Sequence, residues 1–384
     1  MKILFVVVDG GGNIPPQLAV ARALRSRGAQ VHFLGHQGVR ERVEASGFSF
    51  DAFPTGREFH PTMQRPLLRM VSDMAKVSMD RRLGRDAVEA AHRHDADVVV
   101  VDVLMTAGIS ELMAANIPTV VFVHFFYRAL QAFAAGPVGW LLRLRGIAPL
   151  GAERRGALQI VSARADLDPM RGTPQVRHSG VVWQGIPSAA RPTAVPQVLV
   201  SLSTCAFAGQ RRMLQNILDA IEPLSVQATV TVGPAIDASG LRVPANVSMH
   251  DWLDHDEVLA TASLVVSHGG HSTAMRALSF GVPLIVMPAN TLIDQKRVGA
   301  ALENLGAGIL LRKHASARRI REAIGTVLGD TTYREKAGRL GDHIRQRDGA
   351  EVAADAINEF TRTGGSLAGV DRRPRAPSRK HCVE

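Results

Sequence analysis

Short apolar runs alternate with amphipathic stretches along this chain. In its first half, residues 3–8, 30–34, 98–101 and 120–123 are dominated by Val, Ile, Leu and Phe, as expected of strands buried on both faces of a parallel sheet. Residues 16–26 and 106–115 lie between some of them with helical spacing. The second half repeats the pattern at 198–202, 228–232, 264–267 and 284–287. This alternation predicts an α/β fold of two doubly wound, Rossmann-like domains. The length agrees, since 384 residues exceed the comfortable size of one core.

A boundary is visible at Gly185-Ile186-Pro187-Ser188-Ala189-Ala190-Arg191-Pro192-Thr193-Ala194-Val195-Pro196, rich in proline and small residues as a linker should be. The expected division is therefore a domain over 1–184, a linker over 185–196 and a second domain over 197–348. The last convincing helix follows, around 351–360. Beyond it, residues 366–384 include Asp371-Arg372-Arg373-Pro374-Arg375-Ala376-Pro377-Ser378-Arg379-Lys380, a basic, proline-bearing tail with the composition of disorder.

The densest candidate chemistry is Val265-Val266-Ser267-His268-Gly269-Gly270-His271-Ser272-Thr273, where a buried-type strand breaks into a glycine turn and a helix of about 274–280 begins. Unpaired N–H groups collect at such a helix start and attract anions. Gly269 and Gly270 let a phosphate approach the backbone, and His268, Ser272 and Thr273 can donate hydrogen bonds to it. Upstream, Asp251-Trp252-Leu253 with His255 offers an indole on which a flat base can stack. Downstream, Gly281-Val282-Pro283 opens another strand, and Asp294-Gln295 follows it with a carboxylate and an amide suited to sugar hydroxyls. Ser203 and Thr204, after the 198–202 strand, can close on the phosphates or simply cap a helix.

In this order and spacing, Trp252 to Gln295 resembles the nucleotide-sugar signature of the family 1 glycosyltransferases, particularly the bacterial enzymes that glycosylate antibiotics and other natural products. The resemblance implies the GT-B fold, with the active site in a cleft between the domains and the final helix, 349–365, packing back on the first. It implies an inverting hexosyltransferase with a UDP- or TDP-sugar as donor substrate, no other cofactor and no metal. Trp252 and His255 would lie at the base, His268, Gly270, Ser272 and Thr273 at the diphosphate, and Asp294 and Gln295 at the sugar. Arg276 stands where many family members, notably in plants, carry a Glu for the ribose hydroxyls.

The first domain should supply the acceptor site and the base. In most of the resembled family the first glycine turn reads Gly-His-x-x-Pro, its histidine taking a proton from the acceptor. Here the matching residues are Gly12-Asn13-Ile14-Pro15-Pro16. The base position holds Asn13, an amide that can hydrogen-bond but cannot usefully accept a proton. Asp102, closing the 98–101 run, matches the family's orienting aspartate, and it would serve as the base itself if desolvation raised its pKa. Asp9, His60 and His124 are further candidates by location. An acidic phenol or a carbon nucleophile would need little help. The apolar stretches Pro66-Leu67-Leu68-Arg69-Met70, Val123-His124-Phe125-Phe126-Tyr127 and Val138-Gly139-Trp140-Leu141-Leu142 lie where the family builds its acceptor pocket. They suit a hydrophobic natural product contacted by His60, Met70, His124, Phe125 and Trp140, or else domain core. Lipid or sterol acceptors, and a catalytically silent nucleotide-sugar-binding or auxiliary protein, are the alternatives.

Composition then removes other classes. No run of about 18 residues is free of charged and polar groups, so no transmembrane helix is predicted. The net charge of +10 resides partly in the tail, so nucleic acid is not an expected partner. Two cysteines, Cys205 and Cys382, suggest a reducing cytoplasm rather than a disulfide framework. A homodimer is compatible with the sequence. A dinucleotide oxidoreductase fails at Gly10-Gly11-Gly12, because the third glycine of its fingerprint would fall at Pro15 and no acid follows the second strand. Neither a P-loop nor a zinc-type spacing occurs; His92 and His94, flanking Arg93, suit a surface role.

Overall fold

The structure is a computed structural model that describes residues 1–56, 58–63, 66–183, 187–290 and 294–367. Two all-parallel sheets form its core. The first contains β1 (Lys2–Val7), β2 (Gln30–Gly35), β3 (Ser49–Ala52), β4 (Val98–Asp102), β5 (Thr119–Val123), β6 (Leu158–Val161) and β7 (Arg177–His178). Its order is β3-β2-β1-β4-β5-β6-β7. The second contains β8 (Gln197–Ser201), β9 (Gln227–Thr231), β10 (Val247–His250), β11 (Leu264–Ser267), β12 (Leu284–Val286) and β13 (Gly308–Leu310), ordered β10-β9-β8-β11-β12-β13. Both are doubly wound, as the sequence pattern predicts. The strands it leaves out, β3, β6, β7, β10 and β13, all lie toward sheet edges, where strands are short and need not be continuously apolar.

In each sheet the chain reverses its direction of winding beside the first strand, between β1 and β4 and between β8 and β11. Such switch points open crevices at the carboxyl ends of the strands, where α/β proteins bind ligands. The loops after β1 and β4 therefore come from one crevice and those after β8 and β11 from the other.

The described part of the proline-rich connection, from residue 187, is docked rather than free. Ala190 N–H donates to Phe280 O and Arg191 N–H to Ala260 O, each at 2.8 Å, and Arg334 donates to Ala190 O at 3.0 Å. Gly185 and Ile186 lie outside the described residues, as does the tail from residue 368, Cys382 included. After the second domain the chain returns. The helix Gly349–Arg362 buries Ala350, Ala353, Ala354, Ala356, Ile357 and Phe360 against the first domain's core, next to the helix Ile14–Ser26. Arg27 pairs with Glu351 and Asp355, and Arg177 with Glu359, around its rim. Gly349 is required where it enters, since a Cβ there would strike the Val181 backbone.

Phe360 is fully buried at this junction. Phe360→Ala is expected to cost about 3–5 kcal/mol, read as a lower urea midpoint; an unchanged midpoint would mean that the helix does not pack as described.

Candidate functional site between the sheets

On the first side the loop after β1 is held by Asn13, at the N-cap of the helix Ile14–Ser26. Its amide nitrogen donates to Val8 O at 2.8 Å and to Asp102 Oδ2 at 2.7 Å, and its oxygen accepts from Gly10 N–H at 2.9 Å. Gln17, one helical turn on and so on the same face, donates to the same Asp102 oxygen at 2.8 Å and to Asn13 O at 3.2 Å. The other Asp102 oxygen accepts from Leu104 N–H at 2.9 Å. Asn13 is 1% exposed and Asp102 not at all. Both residues expected at the catalytic position are therefore spent on each other and on backbone, as a clamp that fixes the loop. The His124 ring lies beside them, its Nδ1 3.4 Å from Asp102 Oδ2. Asp9 is engaged as well, accepting from Gly11 N–H and pairing with Arg42 at 2.9 Å.

On the second side the helix His271–Ser279 begins at the end of β11 with Gly270 as N-cap and no capping side chain. The amides of its first turn are left for another acceptor. Gly269 adopts φ +78°, and a Cβ at Gly270 would collide with the His268 ring, so the glycines let the backbone fold over that imidazole. His268 is consequently buried beneath the turn, where desolvation pushes its pKa down to about 4, against a hydrogen bond with the Ser201 backbone and the charge of Asp294. It supports the turn as a neutral ring rather than projecting toward a ligand. Ser272 and Thr273 are half-buried.

The two sides meet through these loops. Ser272 Oγ donates to Gly12 O at 2.9 Å, Ala206 N–H to Pro61 O at 2.8 Å, and the Cys205 thiol contacts Gly10 O at 3.5 Å. Gly11, at φ +76°, lies so close that a Cβ would sit 2.7 Å from Cys205 Sγ and 2.9 Å from Thr204 Oγ1. Ser203 holds φ 120°, a conformation costing about 1–3 kcal/mol outside glycine, and its Oγ accepts from Cys205 N–H at 2.9 Å. Strain of this kind is typical of ligand-binding loops. Burial raises the Cys205 thiol to about 11, so it is a neutral contact here.

Asp294 and Gln295 are placed differently from expectation. Asp294 is 1% exposed; its Oδ2 accepts from Phe126 N–H at 3.3 Å and lies 3.1 Å from His271 Nδ1, while His271 Nε2 reaches Ser162 O at 3.1 Å. Gln295 is also buried, its Oε1 accepting from Ala289 and Asn290 N–H. Asp294 Oδ2 thus ties the two domains together and Gln295 Oε1 closes its own loop, so each side chain has one of its two polar atoms committed to structure. His255 is bonded to Thr231 Oγ1 at 3.1 Å, with its pKa lowered by burial and by Arg276. Arg276 itself pairs with Asp254 and Asp256. Trp252, by contrast, is 78% exposed just past β10 and open to stacking.

The expected acceptor residues separate. Met70 packs with Phe207 and Ala289 in an apolar cluster bridging the domains, beside a cavity of about 540 Å³ lined also by Ala206, Pro288 and Lys313. Phe125 is buried against His124. His60 is exposed near Glu58, and Trp140 lies 60% exposed on the helix Pro137–Leu144, not in an enclosed pocket. The side chains of Leu67 and Leu68 lie outside the described residues. Sequence reasoning missed Gln17, Asp168 and Ser162. Asp168 accepts from Tyr127 and Arg128 N–H at 2.7 and 2.9 Å and so caps the helix that follows the 124–126 turn. Only Gln17 had a local signal, its spacing of four from Asn13.

His94 is not a plain surface residue. With His32 and Asp51 it forms a cluster at the β2–β3 edge, both Nε2 atoms within 3.2 Å of Asp51 Oδ2. The two rings are stacked at 3.9 Å and 27°. Near-parallel rings offer their nitrogens side by side, which suits sharing one carboxylate better than converging on one ion.

Residues 215–358 match the family model described as erythromycin biosynthesis protein CIII-like, C-terminal domain. The chain is 32% identical over 172 residues to the NDP-glycosyltransferase YjiC of Bacillus licheniformis, a match spanning 44% of this chain and 43% of that one. That match therefore covers less than half of the relative. The YjiC of Bacillus subtilis matches at 23% over 383 residues, 93% of this chain and 97% of that one. Among solved structures, the calicheamicin glycosyltransferase CalG4 superposes with TM-score 0.75 at 23% identity, covering 96% and 99% of the two chains. The spinosyn rhamnosyltransferase SpnG, complexed with thymidine diphosphate, superposes with TM-score 0.71 at 22% identity, covering 93% and 100%. At these identities the structures speak for the fold.

The buried His268 makes a signed prediction. Its ring protonates near pH 4 when folded and near 6.5 when unfolded. Between those values the unfolded chain binds the extra proton, so stability falls as the pH drops from 6.5 toward 4, by on the order of 3 kcal/mol. Denaturant titrations across that window should show a flatter profile for His268→Asn; equal slopes in both proteins would contradict the assignment.

Proposed function

We propose that this chain, which has the GT-B fold and matches the erythromycin biosynthesis protein CIII-like model over residues 215–358, is a family 1 glycosyltransferase of the antibiotic type, an inverting enzyme moving a sugar from a UDP- or TDP-sugar to a hydrophobic acceptor. The observation that carries this reading is the meeting of two switch-point crevices, where the uncapped start of the helix His271–Ser279 abuts the Gly12 backbone through Ser272. A diphosphate placed there receives first-turn amides, the Thr273 hydroxyl and, once it turns from Gly12 O, the Ser272 hydroxyl, donors that stabilise the charge that grows as the bond to the anomeric carbon breaks. The exposed Trp252 indole is available to the base. Neither cofactor nor metal is needed for this displacement, because helix start and hydroxyls supply the electrostatics.

The apolar Met70, Phe207 and Ala289 surface beside the crevice favours a hydrophobic natural product as acceptor. A lipid or sterol acceptor is the second reading, favoured by Trp140, Leu141 and Leu144, exposed together on the helix Pro137–Leu144.

Two measurements test the proposal. Mass spectrometry of mixtures of nucleotide sugars with a panel of apolar alcohols and phenols should reveal acceptors heavier by one sugar residue; nucleotide binding without turnover on any acceptor would favour a silent binding protein instead. By calorimetry, Trp252→Ala should weaken nucleoside diphosphate binding about 5- to 100-fold, the worth of one stacked base, and an unchanged affinity would place the base elsewhere.

A further inference from the structure

We propose that His124 is the catalytic base that takes the proton from the acceptor, an inference that rests on the transfer reaction proposed above. With Asn13 satisfied at every amide atom, the helix start that should supply the base has no group able to hold a proton. The neighbouring strand does. In the β4–β5 register Asp102 lies opposite Phe122, so a residue two positions on returns to the same face of the sheet. That residue is His124, at the carboxyl end of β5 and one strand across from the expected position.

Its ring is arranged for the task. Nδ1 is buried, has no other partner among the described residues, and faces Asp102 Oδ2 at 3.4 Å. The side chain is nevertheless 13% exposed, and Nε2 is neither buried nor bonded among the described residues. Phe125 packs edge-on against the ring at 4.9 Å, and Phe126 N–H is anchored to Asp294, so the turn carrying His124 is tied to the donor-side domain. Asp102 is in turn fixed by Asn13 and Gln17, which leaves it to orient the imidazole rather than to meet substrate. A separation of 3.4 Å is long for a hydrogen bond, as catalytic contacts often are before substrate binds.

In the reaction, His124 Nδ1–H faces Asp102 while Nε2 accepts the acceptor's hydroxyl proton. The acceptor oxygen forms its bond to the anomeric carbon as the carbon–phosphate oxygen bond breaks, and that electron pair leaves with the nucleoside diphosphate. The imidazolium formed is balanced by Asp102 and later returns its proton to solvent.

The test compares wild type and His124→Gln on two acceptors, an aliphatic alcohol and a phenol already ionised at the assay pH, with nucleoside diphosphate affinity and melting midpoint measured alongside. Expected is a loss of kcat on the alcohol of about 10²–10⁴-fold, near-equal rates on the ionised phenol and unchanged nucleotide affinity. Undiminished turnover of the alcohol, or an equal loss on both acceptors, would overturn the assignment. Should the Gln variant not fold, His124→Asn carries the same comparison with a nitrogen kept near Nδ1. A wild-type enzyme that glycosylates neither acceptor would instead overturn the transfer reading, and the base with it.

Discussion

The hydrogen bond from the Asn13 amide to the buried Asp102 carboxylate, at 2.7 Å, joins the carboxyl ends of β1 and β4 across the switch point of the first sheet. Asp102 is buried from water, so its charge must be met by fixed donors, and Asn13, Gln17 and the Leu104 amide meet it. Through the bond from Gly10 to Asn13, the same set holds the glycine loop in place. That loop in turn lies against Ser272, Thr204 and Cys205 of the other sheet. The shape of the cleft thus follows from how one buried carboxylate is satisfied.

The polar groups around the cleft divide into those committed to structure and those left over. Asp294 links Phe126 and His271, Gln295 closes its loop, and Arg276 is paired with Asp254 and Asp256. The Phe126–Asp294 bond joins two domains whose chain crosses between them twice, and the others stiffen the second. Among the described residues, the start of the helix His271–Ser279, the outer edge of His124 and the open face of Trp252 are left facing the cleft. Preorganised donors of this kind stabilise a transition state without reorganising during the reaction, and their rigidity comes from the committed groups behind them.

The buried strands were legible because a strand covered on both faces is almost continuously apolar, as in 98–101 and 120–123. Edge strands such as β3 and β7 carry Asp, Arg and His and were not. The phosphate turn was legible because its glycines and hydroxyls are consecutive. The state of Asp294 was not, since it depends on Phe126, far earlier in the chain, brought close only when the domains meet. The same limit applies to His124. Asn13 marked the loss of the usual base, while the β4–β5 register that sets an imidazole beside Asp102 exists only in the folded sheet. The proline-rich stretch after residue 187 looked like a free linker because composition does not reveal the backbone bonds that dock Ala190 and Arg191.

Both sheets build one anion site in the proposed reaction. Hydrogen exchange with and without a nucleoside diphosphate tests it directly, because the amides of His271, Ser272 and Thr273 lack capping side chains in the free protein. The nucleotide is expected to slow exchange at those amides and, together with them, in the Gly10–Gly12 loop across the cleft. Protection confined to one sheet, or found only away from the cleft, would contradict it.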